Sequence, residues 1–160
     1  MKKIYDGVQR FCAAHPRFGI SNLMRVIVAG NVAVYVLMLL TQSNDVNALN
    51  FLTFNLHALL RGEVWRLVTF VFVPAYSSPF SLLISLYFYY WIGSTLERQW
   101  GTPKFNLYYI SGMLLTVLGT VLASLITGNY YLTVAGTNYV NLSMFFAFAV
   151  LFPNAQVLLF

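Results

Sequence analysis

The chain has 160 residues, of which 59% are hydrophobic and only 8% charged, with a formal net charge of +5. A soluble domain carries about 25% charged residues, so this composition excludes an ordinary soluble fold. The single cysteine, Cys12, excludes a disulfide framework, and the scattered His and acidic residues predict no metal or cofactor. Nucleic-acid binding is not expected, because no aromatic-basic motif accompanies the positive charge. The composition predicts an integral membrane protein surrounded by lipid.

The first 21 residues are predicted to form a basic cytoplasmic segment, separate from a membrane domain at residues 22–160. Three apolar residues recur there at helical spacing: Ile4, Val8 and Phe11. With basic residues on the other faces, this pattern predicts an amphipathic helix on the anionic inner leaflet. A poorly ordered basic tail is the alternative that the sequence leaves open. Pro16 is expected to end any such helix, since proline lacks a backbone donor.

Four membrane crossings follow, each an apolar stretch near the 20 residues that a bilayer core requires. Their predicted bounds are residues 22–41, 79–96, 105–127 and 130–152. Residues 156–160 can only begin a fifth crossing, so the chain is expected to be incomplete at its C-terminus. The predicted fold class is therefore all-α, a polytopic membrane helix bundle with four complete crossings and the start of a fifth.

Residues 42–66 are too polar to span a membrane and too apolar for a flexible linker. They are predicted to form short helices half sunk in the outer interface, with His57 as an interfacial residue. The apolar side is predicted to comprise Phe51, Leu52, Phe54, Leu56, Leu59 and Leu60. Because Pro74 and Pro79 interrupt the next apolar run, residues 67–73 are predicted to complete this outer loop.

The orientation follows from the basic residues. With the N-terminus inside, seven Lys and Arg residues lie on the cytoplasmic side and two lie outside. This asymmetry matches the positive-inside rule. The outer pair is Arg61 and Arg66; the inner set is Lys2, Lys3, Arg10, Arg17, Arg25, Arg98 and Lys104. The sequence therefore predicts a multi-pass protein with a cytoplasmic N-terminus, placed here in the plasma membrane.

The third crossing carries a stripe of small residues at helical spacing: Gly112, Thr116, Gly119 and Ala123. Helices in lipid associate through close contact at small residues, so this stripe is predicted to face a neighbouring helix. The fourth crossing carries a polar patch that must find partners inside the bundle. We hypothesise that Asn138 and Asn141 bond to Ser81 or Ser85 on the second crossing.

Three segments resemble the rhomboid family. RGEVWRLVTFVF, at residues 61–72, resembles the Trp-Arg motif of the first rhomboid loop. YYWIGSTLERQWGTPKFNLYYISG, at 89–112, is similar to the end of the second rhomboid helix, the following turn and the third helix. FAVLFPNAQ, at 148–156, is similar to the end of the fourth helix. The resemblance covers most of residues 50–156 and implies a rhomboid-like membrane fold.

The resemblance also indicates where a catalytic site would lie. Active rhomboids use a Ser in a Gly-x-Ser-Gly motif on the fourth helix, a His base on the sixth, and a His and an Asn on the second. Here the motif falls on Gly136-Thr137-Asn138-Tyr139, and the His and Asn positions fall on Ser81 and Ser85. No catalytic residue is therefore predicted.

Further positions are given structural roles by the resemblance. Trp65 and Arg66 are expected to brace the outer loop, and Glu97 with Arg98 the cytoplasmic turn, where Gly101 is a further motif position. Gly136 is the first residue of the substituted motif.

The residue types alone favour the same conclusion. A serine nucleophile needs a base within about 3 Å, and no His, Lys or carboxylate occurs from residue 105 onward. The predicted function is a rhomboid-like pseudoprotease that binds transmembrane segments of client proteins. Two alternatives stay open: an intramembrane serine peptidase whose catalytic residues are misassigned or lie beyond residue 160, and a transporter or channel subunit.

Overall fold

The computed structural model describes residues 2–15, 18–40, 51–74 and 78–153. Two short strands are present there, β1 at Phe54–Asn55 and β2 at Thr133–Val134. The helices are α1 Lys2–Ala14, α2 Leu23–Leu40, α3 Leu56–Leu60, α4 Arg66–Thr69, α5 Pro79–Trp100, α6 Thr102–Thr127 and α7 Asn138–Leu151. A 3-10 turn at Phe70–Phe72 follows α4 directly.

Helix α5 is the centre of a four-helix bundle, since it packs against α2, α6 and α7. The fully buried side chains of these helices include Met24, Ile92, Leu96, Phe105 and Met144. Helices α2 and α6 are each long and apolar enough to cross a membrane. Helix α5 has 22 residues but is less apolar, and α7 is apolar but has only 14. The prediction of a helical membrane protein agrees with this architecture.

The N-terminal segment is helical. Helix α1 ends at Ala14, directly before His15, and packs against α6. The alternative of a poorly ordered tail is therefore wrong for residues 2–14. Arg10 and Phe11 are both exposed on α1, while Cys12 is buried.

The turn between α5 and α6 is shorter than predicted. Helix α5 continues past residue 96 to Trp100, and α6 begins at Thr102 rather than at residue 105. Gly101 alone makes the turn, with a positive φ of 84° that favours glycine. The charges at Glu97 and Arg98 had suggested an earlier end, but Glu and Arg are good helix formers.

The predicted fourth crossing at residues 130–152 is wrong in its first part. Residues 130–137 are not helical, and α7 begins only at Asn138. The β-branched Thr133 and Val134 pair instead with β1 in antiparallel register, Val134 opposite Phe54. Gly136, with φ 75°, then turns the chain into α7. The backbone groups of this stretch are thus bonded to the outer loop rather than within a helix.

The outer loop is more regular than predicted. Residues 67–73 were expected to be irregular loop, but residues 67–72 belong to α4 and the 3-10 turn. Of the six apolar residues expected on its buried side, Phe54 and Leu56 are buried in protein, and Leu52 and Leu59 are half-buried. Phe51 and Leu60 are exposed on the protein surface, at 53% and 71%. For those two residues burial within the protein is ruled out.

Candidate functional site

Two of the positions that match rhomboid catalytic residues, Ser85 and Asn138, lie at a small cavity between α2, α5 and α7. The cavity measures about 20 Å³, which is room for about one water molecule. Its polar lining residues are Asn31, Ser85, Tyr89, Thr137, Asn138 and Asn141. Ser81 is exposed and does not line the cavity. One of the two predicted serines therefore lies at the site, together with both predicted asparagines.

Asn141 faces the interior as predicted, with 5% of its surface exposed. Its Nδ2 donates to Thr137 Oγ1 at 2.9 Å, while its Oδ1 is buried without a partner among the described residues. The hypothesis that Asn141 bonds to Ser81 or Ser85 is therefore wrong. Because α7 starts at residue 138, the hydroxyl of Thr137 lies one helical turn from Asn141. It is closer to the Asn141 amide than the serines of α5 are.

Asn138 is exposed at the first position of α7. It makes no hydrogen bond with Ser81 or Ser85 among the bonds of the described residues. The predicted link between the fourth and second crossings is therefore absent at both asparagines.

Asn31 was missed by sequence reasoning. It is 6% exposed, and its Nδ2 donates to the carbonyl oxygens of Ile27 at 2.9 Å and Val71 at 3.3 Å. These bonds connect α2 to the 3-10 turn behind the cavity. A lone Asn in an otherwise apolar crossing was the available signal, because an uncompensated amide is costly in hydrocarbon.

The residues that line the cavity can form hydrogen bonds but do not transfer protons at neutral pH. No carboxylate, imidazole, ammonium or guanidinium group is among its lining residues. Amides and alcohols donate and accept hydrogen bonds, but they do not take up a proton at neutral pH. These residues can hold a polar group of a ligand, whereas activating a hydroxyl would require a base from elsewhere.

The two histidines lie away from the cavity. The His57 ring packs at a tilt against Tyr131 with ring centroids 4.7 Å apart, and the backbone N–H of His57 donates to the Tyr130 carbonyl at 3.0 Å. His15 stacks on Phe11 at the end of α1. Within the described parts of the chain, no three His, Cys, Asp or Glu residues are placed to hold a metal ion.

Arg66 holds the outer loop together. It is 7% exposed, with Nε 2.6 Å from Glu63 Oε2 and Nη1 2.7 Å from the carbonyl oxygen of Thr53. The guanidinium also lies over the ring of Phe51, which in turn contacts Trp65 at 5.3 Å. Arg66 thereby fixes α4 against the segment that leads into β1.

Gly136 and Glu97 fix the two ends of the bundle. The N–H of Gly136 donates to Phe70 at 2.8 Å, which joins the start of α7 to the 3-10 turn. At the opposite end, Glu97 Oε1 accepts from the N–H of Asn22 at 2.9 Å and from Thr102 Oγ1 at 3.0 Å. This carboxylate thus joins the starts of α2 and α6 across the Gly101 turn.

A groove of about 560 Å³ runs between α6 and the segment from β2 to α7. The predicted small-residue stripe forms one wall, and Thr133, Tyr139 and Ser143 lie on the other. A Cβ on Gly112 would be 3.1 Å from Val140, so this end of the stripe is packed. Gly119 has no such neighbour within 4 Å. The stripe therefore packs against α7 at Gly112, while Gly119 faces open space in the groove.

Residues 25–160 match the model of a family described as Eukaryotic integral membrane protein (DUF1751). The chain belongs to this family. DUF1751 is a rhomboid-like family, so the resemblance seen in the sequence is supported at that coarser level. Neither a curated protein nor a solved structure matches the chain significantly. Membership in DUF1751, together with the apolar helices α2 and α6, makes this an integral membrane protein.

Proposed function

We propose that this DUF1751 protein is a non-proteolytic rhomboid-like membrane protein that binds transmembrane segments of client proteins. In this proposal α2, α5, α6 and α7 each cross the plasma membrane, with the N-terminus in the cytoplasm. The seven-to-two distribution of basic residues between the ends of the helices supports that orientation.

The observation that carries the proposal is the composition of the cavity at the rhomboid catalytic positions. Asn138 stands where the nucleophile would be, and Ser85 where a rhomboid has an oxyanion-binding side chain. Both line a cavity with no proton acceptor among its lining residues. Catalysis by serine requires an activated hydroxyl, whereas the amides and hydroxyls present here only donate and accept hydrogen bonds.

The groove beside α6 supports a helical client as the bound partner. Small residues along Gly112, Thr116, Gly119 and Ala123 permit the close backbone approach by which helices associate in lipid. Hydroxyl groups of Thr116, Tyr139 and Ser143 line the same groove. A transmembrane helix with its own small or hydroxyl-bearing face matches both properties.

Site-specific photocrosslinking in membranes tests client binding. A photoreactive residue at Ala123, in the groove, is expected to form a crosslink that maps to the transmembrane segment of another protein. Leu122 is the matched control, because it is the adjacent residue, is 58% exposed and does not line the groove. If both positions capture only lipid, client binding is abandoned.

A cleavage assay tests the non-proteolytic part. The purified full-length protein is incubated with a labelled transmembrane substrate, and no product is expected. Turnover that is abolished by Ser85→Ala or Ser143→Ala would establish an intramembrane serine peptidase and overturn the proposal.

A further inference from the structure

A polar cleft of about 250 Å³ lies at the end of the bundle where α2 begins, α5 ends and α6 begins. It is separate from the cavity at the substituted catalytic positions, which lies further along α5 at Ser85. Its lining includes two arginines, Arg25 and Arg98, and the hydroxyl-bearing residues Ser21, Tyr90 and Ser94. The proposed function uses none of these side chains.

The charges in this cleft are not balanced. Within the described ranges, neither Arg25 nor Arg98 forms an ion pair. Arg25 Nε donates to the Tyr90 hydroxyl at 3.3 Å, which leaves the terminal nitrogens of its guanidinium available. The one carboxylate present, Glu97, already accepts from Asn22 and Thr102. Two guanidinium groups against one engaged carboxylate leave a net positive site.

An exposed apolar seam leads away from the cleft along the contact between α2 and α5. On α2, helical spacing places Val32 and Val36 on the face of Arg25, and they are 39% and 46% exposed. On α5, Leu83 and Tyr87 lie on the face of Tyr90 and Ser94, and they are 63% and 71% exposed. The positive cleft is thus continuous with an apolar surface long enough to contact an acyl chain.

We propose that this cleft binds the phosphate of an anionic glycerophospholipid, whose acyl chain lies along the α2–α5 seam. One guanidinium group can donate two parallel hydrogen bonds to the oxygens of one phosphate, because the spacing of its N–H groups matches theirs. The hydroxyl-bearing residues Tyr90 and Ser94 line the same cleft. A lipid satisfies both the charged cleft and the apolar seam, whereas a soluble phosphate satisfies only the first.

Native mass spectrometry of the full chain in detergent tests this site. Phosphatidylglycerol is expected to remain bound, while diacylglycerol with the same acyl chains is not. A tenfold excess of inorganic phosphate is expected to leave the lipid bound. Displacement by free phosphate would overturn the lipid assignment, and equal retention of diacylglycerol would overturn the headgroup site.

The variant Arg98→Gln is expected to weaken phosphatidylglycerol binding about fivefold, because one basic residue near an anionic headgroup raises the binding constant by about that factor. Arg98 is exposed and in no ion pair among the described residues, so this variant keeps the fold. Adding Arg25→Gln should weaken binding further. The control Arg10→Gln with Arg61→Gln removes two exposed charges elsewhere. Equal weakening by the control would show a nonspecific charge effect and overturn the proposal.

Discussion

Two buried asparagines, Asn31 and Asn141, are expected to respond differently to replacement by Leu. Asn31 bonds across to Val71, whereas Asn141 bonds to Thr137 in its own first turn and leaves its Oδ1 unpaired. Asn31→Leu should cost about 1 kcal/mol, typical of a hydrogen bond between membrane helices. Asn141→Leu should be neutral or stabilising, because it removes a buried orphan acceptor.

Unfolding in detergent, followed by circular dichroism, measures both asparagine variants. The Ser143→Leu variant provides a reference, since Ser143 accepts an interhelical bond from Tyr108 at 3.0 Å and should also lose stability. A loss at Asn141 as large as that at Asn31 would contradict the different roles assigned to the two amides.

Arg66 is expected to be the most sensitive charged residue of the outer loop. Arg66→Met removes the buried guanidinium together with its bonds to Glu63 and to the Thr53 carbonyl. The free energy of unfolding should fall by about 2–3 kcal/mol. The control Arg61→Met changes an exposed arginine five positions earlier and should stay within about 0.5 kcal/mol. Equal melting temperatures for the two variants would refute this role.

At the scale of single residues, the sequence identified the important positions more reliably than it identified their contacts. The Trp-Arg motif pointed to Arg66, which is buried and bonded. The partner of Asn141 was not predictable, because it depends on the start of α7, and a start at residue 138 brings Thr137 within one turn. The hypothesis of a hydrogen bond between α5 and α7 assumed that α7 begins eight residues earlier, at residue 130.

Glycine substitutions test how closely the helices pack. A Cβ at Gly93 would clash with the Met24 side chain on α2, whereas one at Gly119 would meet nothing within 4 Å. Gly93→Ala should destabilise the bundle by about 1–3 kcal/mol through overpacking. Gly119→Ala, in the interior of α6, should gain up to about 1 kcal/mol from helix propensity.

Thermal unfolding of the two glycine variants in the same detergent checks this prediction. The melting temperature is expected to fall for Gly93→Ala and to rise for Gly119→Ala. A stabilised Gly93→Ala variant would mean that α2 and α5 are further apart than the structure shows.

At the scale of elements, the uncharged stretches identified the long helices well, because burial in lipid excludes charge over a fixed length. The ends of the helices were less predictable. The charges at Glu97 and Arg98 did not predict the end of α5, which Gly101 determines. The pairing of β2 with β1 joins residues about 80 positions apart, and such pairing leaves no local pattern in the sequence.

The molecule as a whole has two ends that cysteine labelling can distinguish. The pairing of β1 with β2 places the outer loop and the start of α7 at one end, while α1 and the Gly101 turn lie at the other. In a Cys12→Ser background, new cysteines at Arg61 and Tyr131 should react with an impermeant maleimide from outside cells. Cysteines at Arg10 and Gln99 should react only after permeabilisation.

All four labelling positions are exposed, so access to the reagent depends on the side of the membrane and not on burial. Labelling of all four from one side would contradict the proposed four-crossing topology. If the cysteines at positions 10 and 99 were labelled from outside and those at positions 61 and 131 were protected, the orientation would be the reverse of the one proposed.

In the proposed topology α7 crosses the membrane, so its shortness has a consequence for the lipid around it. Its 14 residues extend only about 21 Å at 1.5 Å per residue, against a hydrocarbon thickness of about 30 Å. A short helix is accommodated by compression of the neighbouring acyl chains, at a cost that grows with each ångström of mismatch. We therefore expect the bilayer to be locally thinned beside α7, and the protein to partition preferentially into thinner membranes.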